Sequence, residues 1–348
     1  MIGVPAPRWP AEWEPHHSTW IGWPHHEPDW PGKLEAVEWV YVEIVRVLHR
    51  HERVEILVPD ERARDGAAAR LIAHDVDLGR CGFHLVPTDR VWLRDSGPTG
   101  VYQPDGFEWL RWRFNGWAKY SNHRRDERVG AAIAELTGLP SDVPRRPTGE
   151  VLVLEGGGIE TNGAGAMLVT EEWLLSDSQL RNPGMGREDY EDAFARYLGV
   201  ERTIWLGDGI VGDDTHGHVD DLARFTAKNT IALAHERNPF DENHRRTLGN
   251  FRRLEREAET FPDGLTIVEL PFPRPVLMDG QRLPASYANF YIANGVVLVP
   301  TFNDVNDRVA LGTLAELFPD REVIGIHSVD LVWGLGTLHC LTQQQPVG

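Results

Sequence analysis

Gly295-Val296-Val297-Leu298-Val299-Pro300, followed further on by Phe318-Pro319-Asp320-Arg321-Glu322-Val323-Ile324-Gly325-Ile326, decides the fold. The first run is short and apolar, which reads as a buried strand. Phe318 to Arg321 is turn chemistry, and Glu322 to Ile326 is a second strand. The stretch between them has the length of a helix. The same order occurs twice upstream. Asn229 to Ala234 precedes Phe261-Pro262-Asp263-Gly264 and the strand Leu265 to Leu270, and Ala166 to Thr170 precedes Leu198-Gly199-Val200 and the strand Arg202 to Leu206. A pair of strands, a helix, a turn and another strand make an internal repeat of ββαβ type with little identity between units. Units of that kind can close in a ring around a central site. No Pro, Gly or Ser-rich linker interrupts them, so a single domain over residues 1–348 is expected.

Upstream of the repeats, Leu34 to His49 carries apolar residues at Leu34, Val37, Val40, Ile44 and Leu48, a helical period. Val54 to Val58 reads as a strand stopped by Pro59, Ala67 to His74 as part of a second helix, and Phe83 to Val86 as a short strand. Residues 1–30 hold Trp9, Trp13, Trp20, Trp23 and Trp30 with no usable period. So many indoles are not left in water, and the segment is expected to be an arm packed on the body and walling a pocket.

Of 348 residues, 41% are hydrophobic and 25% charged, as in a globular chain. The net charge of −18 argues against a nucleic-acid partner, since nothing gathers Lys and Arg into a footprint. It is compatible with a cationic substrate. No apolar run approaches membrane-spanning length, and no secretory h-region is visible, so no membrane partner is expected. The two cysteines leave free thiols, which points to the reducing cytoplasm.

Four segments carry more polar chemistry than a core needs. Trp92-Leu93-Arg94-Asp95-Ser96-Gly97-Pro98 is a charged turn, which a surface salt bridge would also explain. Leu154-Glu155-Gly156-Gly157-Gly158 ends an apolar run in a carboxylate followed by glycines, which permit close approach. It matches neither phosphate-binding glycine pattern. In Asp213-Asp214-Thr215-His216-Gly217-His218-Val219-Asp220-Asp221, a strand starting at Gly217 would put His218 and Asp220 on one face. Asp214, His216, His218 and Asp220 are possible metal ligands, but an Asp beside a His equally orients the imidazole or binds a cation. The fourth segment is His339-Cys340, where the cysteine is either a small buried hydrophobe or a nucleophile. Cysteine, histidine and several carboxylates together suit a guanidinium, whose forked donors match carboxylates in pairs.

These strings occur in an order that resembles the agmatine deiminases, of the guanidino-group-modifying (pentein) superfamily that includes bacterial peptidylarginine deiminases. The resemblance runs through Pro10-Ala11-Glu12-Trp13-Glu14-Pro15-His16, the Trp92, Leu154 and Asp214 segments, Arg113-Phe114-Asn115-Gly116-Trp117, Ser286-Tyr287-Ala288-Asn289-Phe290-Tyr291, and His339-Cys340-Leu341-Thr342-Gln343-Gln344-Gln345-Pro346. It implies a five-bladed pseudosymmetric α/β propeller. It assigns the nucleophile to Cys340, the acid/base to His218 and a further catalytic carboxylate to Glu155. Asp95 and Asp220 are then the guanidinium-binding carboxylates, and Asp214 and Trp92 further substrate contacts. The reaction implied is hydrolysis of agmatine to N-carbamoylputrescine and ammonia through an amidino-cysteine, in polyamine biosynthesis, with no cofactor or metal; the family also suggests a homodimer. The alternatives are another alkylguanidine, peptidyl-arginine, a zinc enzyme, or a non-catalytic binder of cationic amines.

The sequence departs from the family pattern near the site. Gly334-Leu335-Gly336-Thr337-Leu338 stands where Gly-Gly-Gly-Asn-Ile is common, His216 where Asp, Asn or Gly is usual, and Gly158 where Ser is frequent. Gly158, His216 and Thr337 lie beside expected site residues, where they either reshape the far end of the pocket or are neutral drift, the reading favoured here. A carboxylate-bearing substrate would need a cationic partner, for which Arg111 and Arg113 are candidates if the strand between Phe107 and Phe114 faces the site, although Trp109 and Trp112 beside them favour a packing role.

Overall fold

The structure is a computed structural model that describes residues 7–348; residues 1–6 of the arm lie outside the described residues. Strand β1 (His16–Gly22) leads through helix α1 (Leu34–Leu48) to β2 (Arg53–Val58), and α2 (Glu61–Ile72) leads to β3 (Cys81–Leu85). The three strands are parallel neighbours. One helical turn, α3 (Leu93–Ser96), then enters an antiparallel hairpin of β4 (Thr99–Gln103) and β5 (Gly106–Leu110). Helix α4 (Val129–Thr137) crosses over, and β6 (Ser141–Asp142) returns parallel to β5.

The next two units repeat this path. Hairpin β7 (Glu160–Thr161) and β8 (Ala166–Thr170) crosses by α5 (Glu171–Leu175) and α6 (Arg187–Leu198) to a parallel β9 (Arg202–Leu206). Hairpin β10 (Ala223–Ala227) and β11 (Thr230–Ala234) crosses by α7 (Glu242–Ala258) to β12 (Thr266–Leu270). After a small separate hairpin, β13 (Leu277–Met278) and β14 (Gln281–Arg282), the fifth unit follows. It pairs β15 (Tyr291–Ala293) with β16 (Val296–Thr301) and crosses by α8 (Asp307–Leu317) to β17 (Glu322–His327). A last turn, α9 (Leu338–Leu341), enters β18 (Thr342–Pro346), which lies antiparallel to β1 and completes the sheet β18-β1-β2-β3. The first unit therefore has the same pattern, with its hairpin assembled from the two ends of the chain.

Local chemistry sets these boundaries. Asp60 and Asp241 cap α2 and α7 by accepting the N–H groups of Ala63 and Asn243. Gly138 and Gly199 close α4 and α6 in the left-handed conformation. Leu254 of α7 joins Ile231 and Leu233 of β11 in one buried cluster, so each crossover helix has a sheet face to cover.

Two expectations are corrected. The segment 1–30 is not simply an outer arm, because His16–Gly22 is an inner strand, flanked by β18 and β2. Most of that strand is buried, so no polar face alternates and no period is legible. Residues 217–221 form no strand. His218 is extended and precedes the 3₁₀ turn Val219–Asp221, because Gly217 takes φ of 103° and turns the chain there. His218 and Asp220 still reach one site, by way of that turn.

In every unit the segment just ahead of the first strand is a tight turn: 93–96, 155–158, 218–221, 286–289 and 338–341.

Candidate active site

Those five turns each deliver a polar side chain to one buried cluster. The Cys340 Sγ lies 3.1 Å from Nδ2 of Asn289 and 3.5 Å from Oδ2 of Asp220. His218 sits between two carboxylates, with Nδ1 3.7 Å from Oδ1 of Asp95 and Nε2 3.5 Å from Oε2 of Glu155. A Cβ at Gly157 would fall 2.6 Å from His218 Nδ1, 2.9 Å from Asp95 Oδ1 and 3.1 Å from Asp220 Oδ2. Three functional groups converge on that point, and only glycine leaves it open. The Gly157 N–H also donates to Asp95. Cys340, His218, Glu155, Asp95 and Asp220 are thus brought together.

A second layer holds them in place. Trp117 Nε1 donates to Asp95 at 2.8 Å, and Trp173 Nε1 donates to Glu155 at 2.7 Å while its ring stands edge-on to His218. Arg181 pairs with Glu155 at 3.0 Å, both side chains wholly buried. His339 spans Asp220 and Glu12, one ring nitrogen 2.8 Å from each. Glu12 also accepts from Arg94 and Arg224, so a residue of the N-terminal segment anchors the centre. Asn289 Oδ1 accepts from the Thr337 hydroxyl at 2.7 Å and from the His339 N–H at 3.0 Å. That fixes the orientation of its amide, so Nδ2 must face Cys340 and Asp221.

Charge is poised accordingly. Burial pushes the His218 imidazole down, but Asp95, Glu155 and Asp220 outweigh it and carry it to about 9. Burial would raise Glu155, yet Arg181 and His218 hold it at about 2. Burial, with Asp220 and Glu155 adding to it, lifts Asp95 to about 6 against the pull of His218. The Cys340 thiol is pushed well up, first by burial and then by Asp220, Asp221 and Asp95. Asp220 has one further property. Its Oδ1 is buried and has no hydrogen-bond partner. An unsatisfied ionised oxygen is costly, and next to Cys340 it calls for a cationic ligand.

Cys340 and Asp95 open onto a cavity of about 320 Å³. Trp92, Trp117, Pro28, Pro31, Met278 and Trp333 give it apolar walls, so the N-terminal segment does wall a pocket. Trp92 stands on this wall and leans on Trp30. Asp214 lies at the cavity too, but is bound to Lys119 and to the Tyr120 hydroxyl, the latter at 2.7 Å. Asp29 was not singled out in the sequence. It also lines the cavity, with Oδ1 3.5 Å from Arg90 Nε and Oδ2 buried without a partner. Burial, with Asp214 adding to it, raises Asp29 to about 6 against the pull of Arg90.

Several candidates from the sequence do not line the cavity. Arg111 and Arg113 do not reach the cavity; Arg113 pairs with Glu127 at 3.4 Å, and the cation on the wall is Arg90. Gly158, His216 and Thr337 do not line it either. A Cβ at Gly158 would overlap the Trp173 ring, His216 Nε2 lies 3.1 Å from Ser176 Oγ, and Thr337 supports Asn289. The departure that does reach the wall is Leu335. The four possible ligands Asp214, His216, His218 and Asp220 do not converge. Among the described residues, the donors near one another are Asp220, Asp221 and Cys340, within the site itself. The sequence also carried a signal for Asn289 that residue type alone hid: it occupies the turn of the fifth repeat, where the other four place Asp95, Glu155, His218 and Cys340.

Repeated ββαβ units around a buried cysteine, histidine and carboxylates define a mixed α/β hydrolase of the guanidino-group-modifying class. The chain belongs to the Porphyromonas-type peptidyl-arginine deiminase family, which it matches over residues 8–346. It is 33% identical to the agmatine deiminase of Pseudomonas fluorescens (strain SBW25), over 97% of this chain and 95% of that protein. Its fold is similar to that of a Cys-to-Ser variant of C. jejuni agmatine deiminase with substrate bound, with a TM-score of 0.88, 26% identity and coverage of 100% and 98%. The agmatine deiminase of Enterococcus faecalis gives a TM-score of 0.88 at 28% identity, covering 99% of this chain and 98% of that one. No helix among the described residues is long and apolar enough to cross a membrane.

Proposed function

We propose that this protein hydrolyses agmatine to N-carbamoylputrescine and ammonia, with Cys340 as nucleophile. The observation that carries the reading is the buried, unpartnered Oδ1 of Asp220 beside Cys340, with Asp95 across the same point. Those two carboxylates take the guanidinium fork and hold its central carbon at the sulfur. The thiol is protonated in the free enzyme, because burial and three carboxylates oppose its ionisation. The bound cation offsets that charge, the proton leaves to bulk water, and Asn289 Nδ2 donates to the thiolate.

Attack forms the S–C bond. His218, charged at neutral pH, gives its proton to the departing nitrogen, which leaves as ammonia when the C–N bond breaks. The amidino-cysteine is then attacked by water, with neutral His218 as base. The C–S bond breaks and leaves the ureido product and the thiolate. Glu155 keeps the imidazole oriented, itself held by Trp173 and Arg181. At the far end, Asp29 and Asp214 receive the substrate ammonium, and Trp92 packs along its methylenes. We also propose that the five units close into a ring around this site as one domain, in a cytoplasmic enzyme that assembles as a homodimer.

One observation favours a second reading. Arg90 lines the cavity and offers a cation to a guanidino acid, although it is engaged by Asp29 and by Asn122 at 3.1 Å. The test is ureido-product formation from agmatine, arginine, guanidinobutyrate and a blocked peptidyl-arginine, with Cys340→Ala as control, and with labelling by a haloacetamidine. Turnover of agmatine, lost in the variant, with label on Cys340 alone, is the expected result. Preference for guanidinobutyrate would move the assignment to Arg90. Equal labelling of Cys81, whose thiol burial pushes up to about 11, would remove the special status of Cys340.

A further inference from the structure

We propose that Leu335 is a specificity-determining residue that confines the pocket to unbranched alkylguanidines and excludes guanidines substituted along the chain, such as arginine within a peptide. The inference deepens the deiminase reading and rests on it. Leu335 has φ of 69°, a left-handed backbone that is at ease for glycine and strained for a bulky side chain. It ends the 3₁₀ turn Leu331–Gly334, with its N–H donating to Val332 O at 2.9 Å. Strain of this kind persists where the surroundings hold it, and it gathers at ligand clamps.

What holds it is visible. Leu335, Trp333 and Met278 pack on the buried cluster that contains Tyr287 and Val332, and all three face the cavity. Gly336 sets the depth at which Leu335 acts. A Cβ there would lie 2.9 Å from the Trp92 ring and 3.1 Å from Cys340 Cβ, so its backbone is pressed against the nucleophile. Leu335 is the adjacent residue in the chain and lines the same cavity as Cys340, Asp29 and Asp214. A branched apolar side chain at that depth complements a plain alkyl chain. To a carboxylate or amide carried on the chain it offers bulk and no hydrogen bond, which is discrimination by exclusion.

The experiment compares kcat/KM for agmatine and for Nα-benzoyl-argininamide in the wild type, Leu335→Gly and Leu335→Ala. The wild type is expected to prefer agmatine by about a hundredfold or more. Leu335→Gly should cut that preference at least about tenfold, chiefly through a higher kcat/KM for Nα-benzoyl-argininamide once the bulk is gone, with Leu335→Ala between the two. If the glycine variant does not fold, the alanine variant decides alone. A preference unchanged in the variants, or absent in the wild type while agmatine is turned over, overturns the role of Leu335 and leaves the deiminase reading standing. A wild type that turns over neither substrate sinks both.

Discussion

The two ends of the cavity are built in different ways. Around Cys340, the groups Asp95, Glu155, His218, Asp220 and Asn289 come from turns ahead of the first strands of the ββαβ units, are buried, and are held by hydrogen bonds and ion pairs. The far end is made of irregular pieces: residues 26–31, Arg90, Trp117 to Tyr120, Asp214, the small β13–β14 hairpin and residues 333–335. The Cys340 end is therefore over-determined by the repeats and by a buried hydrogen-bonded lattice running from Glu12 through His339 to Asp220. Removing one member there leaves a partner charged, buried and unpaired. At the far end the charged groups pair locally, Asp29 with Arg90 and Asp214 with Lys119. The departures from the family pattern agree with this contrast. Thr337 near Cys340 retains a hydrogen bond to Asn289, whereas Leu335 only changes the shape of the wall.

The largest effect that separates the two ends is expected for Asp220→Asn. It removes a guanidinium acceptor and a partner of His339, so kcat/KM for agmatine should fall by about 10²–10³. A loss below tenfold would place the guanidinium elsewhere and end the distinction between a fixed and an adaptable end.

Next comes pH. The Asp95 carboxyl stands at about 6 without substrate, and it must be ionised to hold the guanidinium. Below that value the proton competes with the substrate, so KM for agmatine should rise about fifteenfold in all as pH falls from 6 to 4.5. A KM flat over that window would show that Asp95 does not bind the substrate. The smallest expected effect belongs to the far end. Asp29→Asn keeps the shape and removes one of the two carboxylates at the far wall, so KM should rise about five- to tenfold at constant kcat. A matching loss of kcat would make Asp29 part of the reacting end and erase the comparison.

Much of the reacting end was legible in the sequence. Cys340, His218, Glu155, Asp95 and Asp220 stood out because charged or nucleophilic residues beside glycines are poor core material. Asn289 did not, since an amide in an apolar string reads as a turn. Trp173 did not either, because nothing local says that its indole reaches Glu155 or that Gly158 makes room for it. Asp29 was hidden among Pro and Trp, and His218 was placed on the right site by way of a strand that does not exist.

By itself the amino-acid order determined the repeating units, the caps and turns that bound them, and the residue types available for chemistry on a guanidinium. These depend on neighbours within a few positions, where side-chain size, φ preference and apolar period act directly. Only the tertiary structure decided that residues 95, 155, 218, 289 and 340 meet at one point, that β1 and β18 share a sheet, and that Leu335 lines the cavity. It also set the protonation states. The pull on a buried proton depends on which charges lie within a few ångströms and on how much water has been removed, and both are properties of the folded chain.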